Sequence, residues 1–191
     1  QSIIKKSKRT IVDPKISLDN YKGAFILKPN RKEFEDYIGH TTTPKSLMTE
    51  AQRLRHELEI EHFIVTLGPE GVLYVGDSVE HYEATAQEVF DVTGAGDTFT
   101  AALAYGIYRS CDVQDAVIIA NKMAGLAVSK PGTYVISPTD FNEAMEEINE
   151  LDENWITQFE EVDKDYEIFY KDDVECVNIK YFFIKLTYFF P

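Results

Sequence analysis

A chain of 191 residues, 44% of them hydrophobic, carries enough apolar material for a sizeable core and most simply forms one domain. Its net charge of −14 is uneven, because residues 140–175 hold 15 acidic side chains against Lys164 and Lys171 while the remainder is almost neutral. Nothing basic enough to follow nucleic acid is present. The distant Cys111 and Cys176 offer neither a disulfide framework nor metal-ligand spacing, which fits a reducing compartment. With no apolar run near about 18 residues and no signal peptide, we expect a soluble cytoplasmic protein with no membrane partner.

In chain order, residues 1–9 are basic and polar, and Thr10-Ile11-Val12-Asp13 reads as a short buried strand ended by Pro14. Ala24-Phe25-Ile26-Leu27 predicts a second short strand, followed by a helix from about Arg31 to Ile38 that Gly39 stops. Thr43-Pro44 is a helix start, with Thr43 as N-cap and Pro44 in the first turn. That helix should run to about Leu58, with Leu47, Ala51, Leu54 and Leu58 on one face. His62–Leu67 is apolar enough for a strand covered on both faces. Turns at Gly68–Gly71 and Gly76-Asp77 bracket the strand Val72–Val75 and lead into Ser78–Tyr82.

Glu88-Val89-Phe90 is β-prone, and a small-residue helix is expected from Thr98 to about Arg109. Asp112–Asp115 resembles a capping box before a long apolar helix over Ala116–Ser129, and Ser137-Pro138-Thr139 opens a last helix to about Leu151. Strands alternating with helices predict an open α/β sheet. There is no internal repeat. Residues 152–175 read as an acidic, weakly ordered linker. The aromatic tail 176–191 is either an edge strand or a segment in need of a partner.

Chemistry concentrates at Asp91-Val92-Thr93-Gly94-Ala95-Gly96-Asp97-Thr98. Two glycines entering a helix expose backbone N–H groups to an anion, and the helix dipole adds positive character. Asp97 would repel a phosphate there unless it had a task such as accepting a proton; the plainer reading is a helix cap. The third glycine of a dinucleotide fingerprint is replaced by Phe99, and no Gly-Lys-Ser/Thr of a P-loop follows.

The same stretch closely resembles the second signature of the ribokinase-like (PfkB) carbohydrate kinases. Further resemblances follow the family's order. Asn30-Arg31-Lys32-Glu33 is similar to its Asn-x-x-Glu motif, and Thr66–Gly71 to its Thr-x-Gly-x-x-Gly nucleotide loop. Asn121, eleven residues before Gly132, falls where the family places a neighbour of adenine. Within the family, Asp13-Pro14-Lys15 and residues 85–91 look most like the bacterial heptose-7-phosphate kinases of the ADP-heptose synthase type.

The resemblance implies a three-layer, mostly parallel sheet, ATP with Mg²⁺ as cofactors, and a sugar or sugar phosphate as acceptor. It implies Asp97 as the base, with N–H groups of Gly94, Ala95, Gly96 and Asp97 holding the developing negative charge. Asn30 and Glu33 would organise Mg²⁺ through water, although the pair also reads as a capping box. Thr66, Gly68 and Gly71 would let the chain pass close to the nucleotide, although they also suit an ordinary hairpin turn. Asp91, Thr93, Ala127 and Gly132 match the family's monovalent-cation positions, with K⁺ the candidate ion. Lys15 is a candidate phosphate contact or a surface lysine, and His40, His56, His62 and His81 take no role.

The resemblance covers residues 10–140, so residues 1–151 correspond to the C-terminal, nucleotide-binding half of such a kinase. Nothing in residues 1–29 resembles the sugar-binding half or its lid. That half, or a second copy in a homodimer, is the partner we expect.

Overall fold

Val12 and Leu27 begin the sheet, because each closes a run of β-branched or aliphatic residues that a proline then ends. In the computed structural model, side chains are described for residues 4, 9–86, 88–132, 134–137 and 139–143, and the backbone also for three later strands. The chain divides into two compact units, one of Gln1–Glu83 with Ile168–Pro191 and one of Ala84–Glu167.

The first unit contains β1 (Ile11–Val12), β2 (Ile26–Leu27), α1 (Arg31–Ile38), α2 (Pro44–Glu57), β3 (His62–Thr66), β4 (Val72–Val75) and β5 (Val79–Tyr82). Its sheet has the order β1-β2-β3-β4-β5. Pairs β1–β2 and β2–β3 are parallel, while β3–β4 and β4–β5 are antiparallel hairpins, so four of the five strands point the same way. Alternation along the strands sends Leu27, Phe63, Val65, Leu73 and Val75 into one core with Phe34 of α1 and Leu47, Ala51 and Leu54 of α2. Phe34 meets Phe63 edge to face at 6.1 Å, and burying such a ring stabilises by about 1.5–3 kcal/mol. Ile26, Ile64, Val72 and Tyr74, at the alternate positions, are buried as well, so both faces of the sheet are covered.

Both helices of this unit start and stop as expected. Gly39 ends α1 in the left-handed region at φ 81°, and Thr43 caps α2 with proline in its first turn.

The second unit is built on α3 (Ala95–Tyr108) and α4 (Val113–Val128). Phe99, Leu103 and Ile107 of α3 and Val117, Ile119 and Met123 of α4 are all buried. The helices approach closely at Gly106, where an added Cβ would lie 3.0 Å from that of Ala116.

Three expectations are corrected here. Residues 88–90 form no strand; Val89 and Phe90 are exposed, and the Phe90 N–H donates instead to the Val128 carbonyl at the end of α4 (2.8 Å). Helix α3 begins three residues before Thr98, because Gly94 adopts φ 78° and turns the chain into it. Asp112 caps α4 by accepting from the Gln114 N–H (2.9 Å), a simple cap rather than a box with Asp115.

The last expected helix is described only over residues 139–143, where Ser137 and Asp140 bond reciprocally at its start. Its extension to Leu151 lies outside the described residues, as does most of the expected linker. A second sheet, of β6 (Tyr166–Lys171), β7 (Val174–Ile179) and β8 (Phe182–Lys185), draws on both the acidic stretch and the aromatic tail. Among the described residues no helix is long and apolar enough to cross a membrane.

Candidate active site

In the first unit, β2 and β3 bring two of the motifs side by side. The parallel ladder extends past β2 through a bridge from Asn30 to Thr66, the last residue of β3, and the Thr66 N–H donates to the Pro29 carbonyl (3.1 Å). Asn30 caps α1: its Oδ1 accepts from the Glu33 N–H (2.9 Å), and Glu33 Oε2 accepts from the Asn30 N–H (2.8 Å). The pair therefore forms the capping box that the sequence also allowed. That use occupies one Glu33 oxygen. Asn30 is exposed and Glu33 partly so, at the carboxyl ends of parallel strands where ligands of open α/β sheets bind.

Beyond Thr66 the chain makes a single 3₁₀ turn, Gly68–Glu70. Gly71 closes it at φ 89°, ψ −127°, a conformation that side-chain-bearing residues rarely adopt, and its carbonyl accepts from the Leu67 N–H (2.8 Å). Arg31, the first residue of α1, forms a two-pronged ion pair with Glu70 in this loop, Nη2 to Oε2 being 3.0 Å. His81 Nε2 lies 2.6 Å from the Glu70 carbonyl.

At the ends of β1 and β2, the nearly inaccessible Lys28 (2% exposed) meets Asp13 at 2.9 Å, and Lys15 reaches the other Asp13 oxygen at 2.9 Å. Burial pushes the Asp13 carboxyl up, but Lys28 and Lys15 together outweigh it and hold the group below its ordinary value. Lys15 itself is 62% exposed. Sequence reasoning missed both ion pairs, since charges 39 or 15 residues apart carry no local signal.

In the second unit, the glycine corner forms the start of α3. Gly94 stands at the N-cap position without a side chain to cap α3, and Asp97 sits in the first turn, exposed. Asp97 is therefore not the cap that the plainer reading required. Of the four N–H groups assigned to an anion, that of Ala95 is partly used, donating to the Val92 carbonyl at 3.3 Å. A Cβ built on Gly96 would meet nothing within 4 Å, so no protein packing requires glycine there. Open space over an uncapped helix start fits a phosphate oxygen approaching the backbone.

Asp91 accepts from the Thr93 N–H through Oδ1 (2.8 Å), and the Thr93 side chain, followed by that N–H, draws the Asp91 carboxyl below its ordinary value. The Asp91 N–H points at the Val128 carbonyl (3.4 Å), which sets this loop beside the last turn of α4, where Ala127 lies. Gly132 follows α4 at φ 73°. The carbonyls ending a helix carry partial negative charge, and each keeps a second lone pair for a cation. Asn121 is buried on α4 at 9% exposure. Among the described residues no three His, Cys, Asp or Glu side chains cluster as a metal site.

Comparison with known proteins gives these elements a family. The description of the pfkB family carbohydrate kinases matches residues 1–140. The bifunctional protein HldE of Hahella chejuensis is 40% identical over 140 residues, covering 72% of this chain and 29% of that protein. HldE of Nitratiruptor sp. is 34% identical over 166 residues, covering 85% and 36%. Among solved structures, ribokinase from Thermotoga maritima has a TM-score of 0.67 at 25% identity, covering 76% of this chain and 52% of the ribokinase. A putative sugar kinase from Clostridium perfringens has a TM-score of 0.66 at 26% identity, covering 78% and 50%. The chain thus spans about a third of the length of these HldE relatives and about half that of the kinases whose fold it shares. With its α/β sheet, ordered motifs and uncapped glycine corner, the chain belongs to the pfkB family of carbohydrate kinases.

Proposed function

We propose that this chain forms the nucleotide-binding part of an ATP-dependent kinase acting on a hydroxyl of a sugar or sugar phosphate. The observation that carries the proposal is the start of α3, where an uncapped turn with open space over Gly96 adjoins an exposed carboxylate, Asp97. Phosphoryl transfer needs little covalent help from a protein; it needs a proton acceptor near the attacking hydroxyl and donors for the negative charge that develops. Asp97 is the acceptor, and the N–H groups of Gly96 and Asp97, with that of Gly94, are the donors. Ala95 contributes less, because Val92 already engages its N–H.

ATP supplies the phosphoryl group and Mg²⁺ neutralises phosphate charge when both are bound. In the first unit, Asn30 and Glu33 orient water around the ion. Glu33 keeps its place through the capping box, while Thr66, Gly68 and Gly71 shape a loop against which phosphates can lie. In the second unit, Asn121 borders the adenine, and Asp91, Thr93 and the carbonyls of Ala127 and Gly132 hold a monovalent cation, K⁺ being the candidate. Heptose 7-phosphate is the acceptor we infer, from the resemblance of Asp13-Pro14-Lys15 and residues 85–91 to heptose-7-phosphate kinases.

Calorimetric titration of the chain with ATP, with and without heptose 7-phosphate, tests the proposal. Saturable ATP binding that requires Mg²⁺ is the expected outcome, and no binding would refute it. A second reading is a nucleotide-binding module without transferase activity. In a longer protein that contains this chain, ATP binding without ADP release at any sugar concentration would select that reading.

A further inference from the structure

The pair Arg31–Glu70 joins two segments that the nucleotide reading treats separately, and nothing in that reading assigns it a task. Asn30 and Thr66 end one stretch of parallel ladder, after which the chain diverges into α1 on one side and the glycine loop on the other. The loop's own bonds are few: Leu67 N–H to the Gly71 carbonyl, Glu70 N–H to the Leu67 carbonyl and Gly71 N–H to the Gly68 carbonyl. Gly68 and Gly71 both lie at positive φ, 60° and 89°, where an unsubstituted backbone is soft.

We propose that Arg31 and Glu70 are a positioning pair that holds the Gly68–Gly71 loop against the first turn of α1 and so presets the loop for nucleotide. The geometry is a planar fork on a carboxylate, both Arg31 terminal nitrogens donating to Glu70, across 39 residues of sequence. At its root the fork stands on a rigid turn, since the capping box binds Asn30 and Glu33 on either side of Arg31. At its tip Glu70 is held from a second direction, its carbonyl facing His81 Nε2 of β5. The loop is thus tied to a helix and to a strand through one residue.

Arg31 is 31% and Glu70 54% exposed, and ion pairs this accessible add little to global stability. Their effect is local: a loop already ordered before ligand arrives loses less freedom on binding. The inference rests on the nucleotide reading above, and its test separates the two.

ATP titration and thermal melting of the chain, of Arg31→Ala, Glu70→Ala, Arg31→Lys and the Arg31→Ala/Glu70→Ala double variant supply that test. Each single alanine variant should weaken ATP binding about fivefold, and the double variant no further, as expected for two residues acting as one unit. Arg31→Lys should rescue only partly, because an ammonium lacks the fork. Melting temperatures should stay together. Without nucleotide, hydrogen exchange at the amides of residues 68, 70 and 71 should speed up in both alanine variants, a change that loss of a phosphate contact would not produce.

Wild-type affinity and exchange in both alanine variants overturn the pair. So does weakening in Arg31→Ala alone, which would make Arg31 a direct phosphate ligand. Failure of the wild-type chain itself to bind ATP overturns the nucleotide reading and the pair's role in it together.

Discussion

Asp97 lies in the first turn of a helix, where the dipole favours a carboxylate, and no backbone group is capped by it. A carboxylate spared from capping is available to take a proton. In a sugar-phosphorylating enzyme containing this chain, Asp97→Asn should lower turnover by about 10²–10⁴-fold while ATP affinity stays within error, as measured by coupled ADP release and calorimetry. Near-wild-type turnover would remove the assigned base.

Asp13 makes a different prediction. Its carboxyl is held below the ordinary value of 3.8, so its contribution to stability is complete above that value and is lost as pH falls through the native one. Asp13→Asn leaves the buried Lys28 without its Asp13 carboxylate and should cost about 3 kcal/mol at pH 7. The gap from wild type should narrow as pH drops below about 4 and through the native value in urea-unfolding series. A gap independent of pH would mean that the ion pair is not its source.

At the scale of elements, the glycines of α3 separate packing from binding. An added methyl at Gly106 would press on Ala116, 3.0 Å from its Cβ and 3.3 Å from its Cα, so Gly106→Ala should destabilise by about 1–3 kcal/mol through the α3–α4 seam. An added methyl at Gly96 meets nothing within 4 Å and sits in a helix, so Gly96→Ala should hold or slightly raise the melting temperature. It should nevertheless weaken phosphate binding, because the methyl occupies the approach to the helix start. Equal ATP affinity in Gly96→Ala and wild type would remove the anion role of that turn.

As a whole molecule, this member of the pfkB family spans about half the length of the kinases that share its fold. Sugar specificity in the reading proposed here depends on residues outside the motifs found. We therefore expect heptose 7-phosphate to leave ATP binding by this chain unchanged and ADP release at background. A sugar-dependent rise in ADP release by the chain alone would place an acceptor site within these residues.

The local features were legible because their causes are local. Asn30 and Glu33 read as a capping box as well as a motif, and the structure shows the box; Thr43-Pro44 and Gly39 bound their helices through the conformations those residues favour. The ordered motifs from Asn30 to Gly132 identified the family before any coordinate was needed.

Tertiary structure decided what depended on distant partners. Glu88-Val89-Phe90 has strand propensity but no strand, since its backbone bonds to the end of α4. The Lys28–Asp13 pair and the Arg31–Glu70 fork each rest on how the backbone folds back. The chemistry proposed at Asp97 came from the family resemblance, since the residues of the corner alone allowed a plain turn as well. Only the fold showed that its helix begins at Ala95 with no side-chain cap, which leaves backbone N–H groups and a carboxylate free for that chemistry.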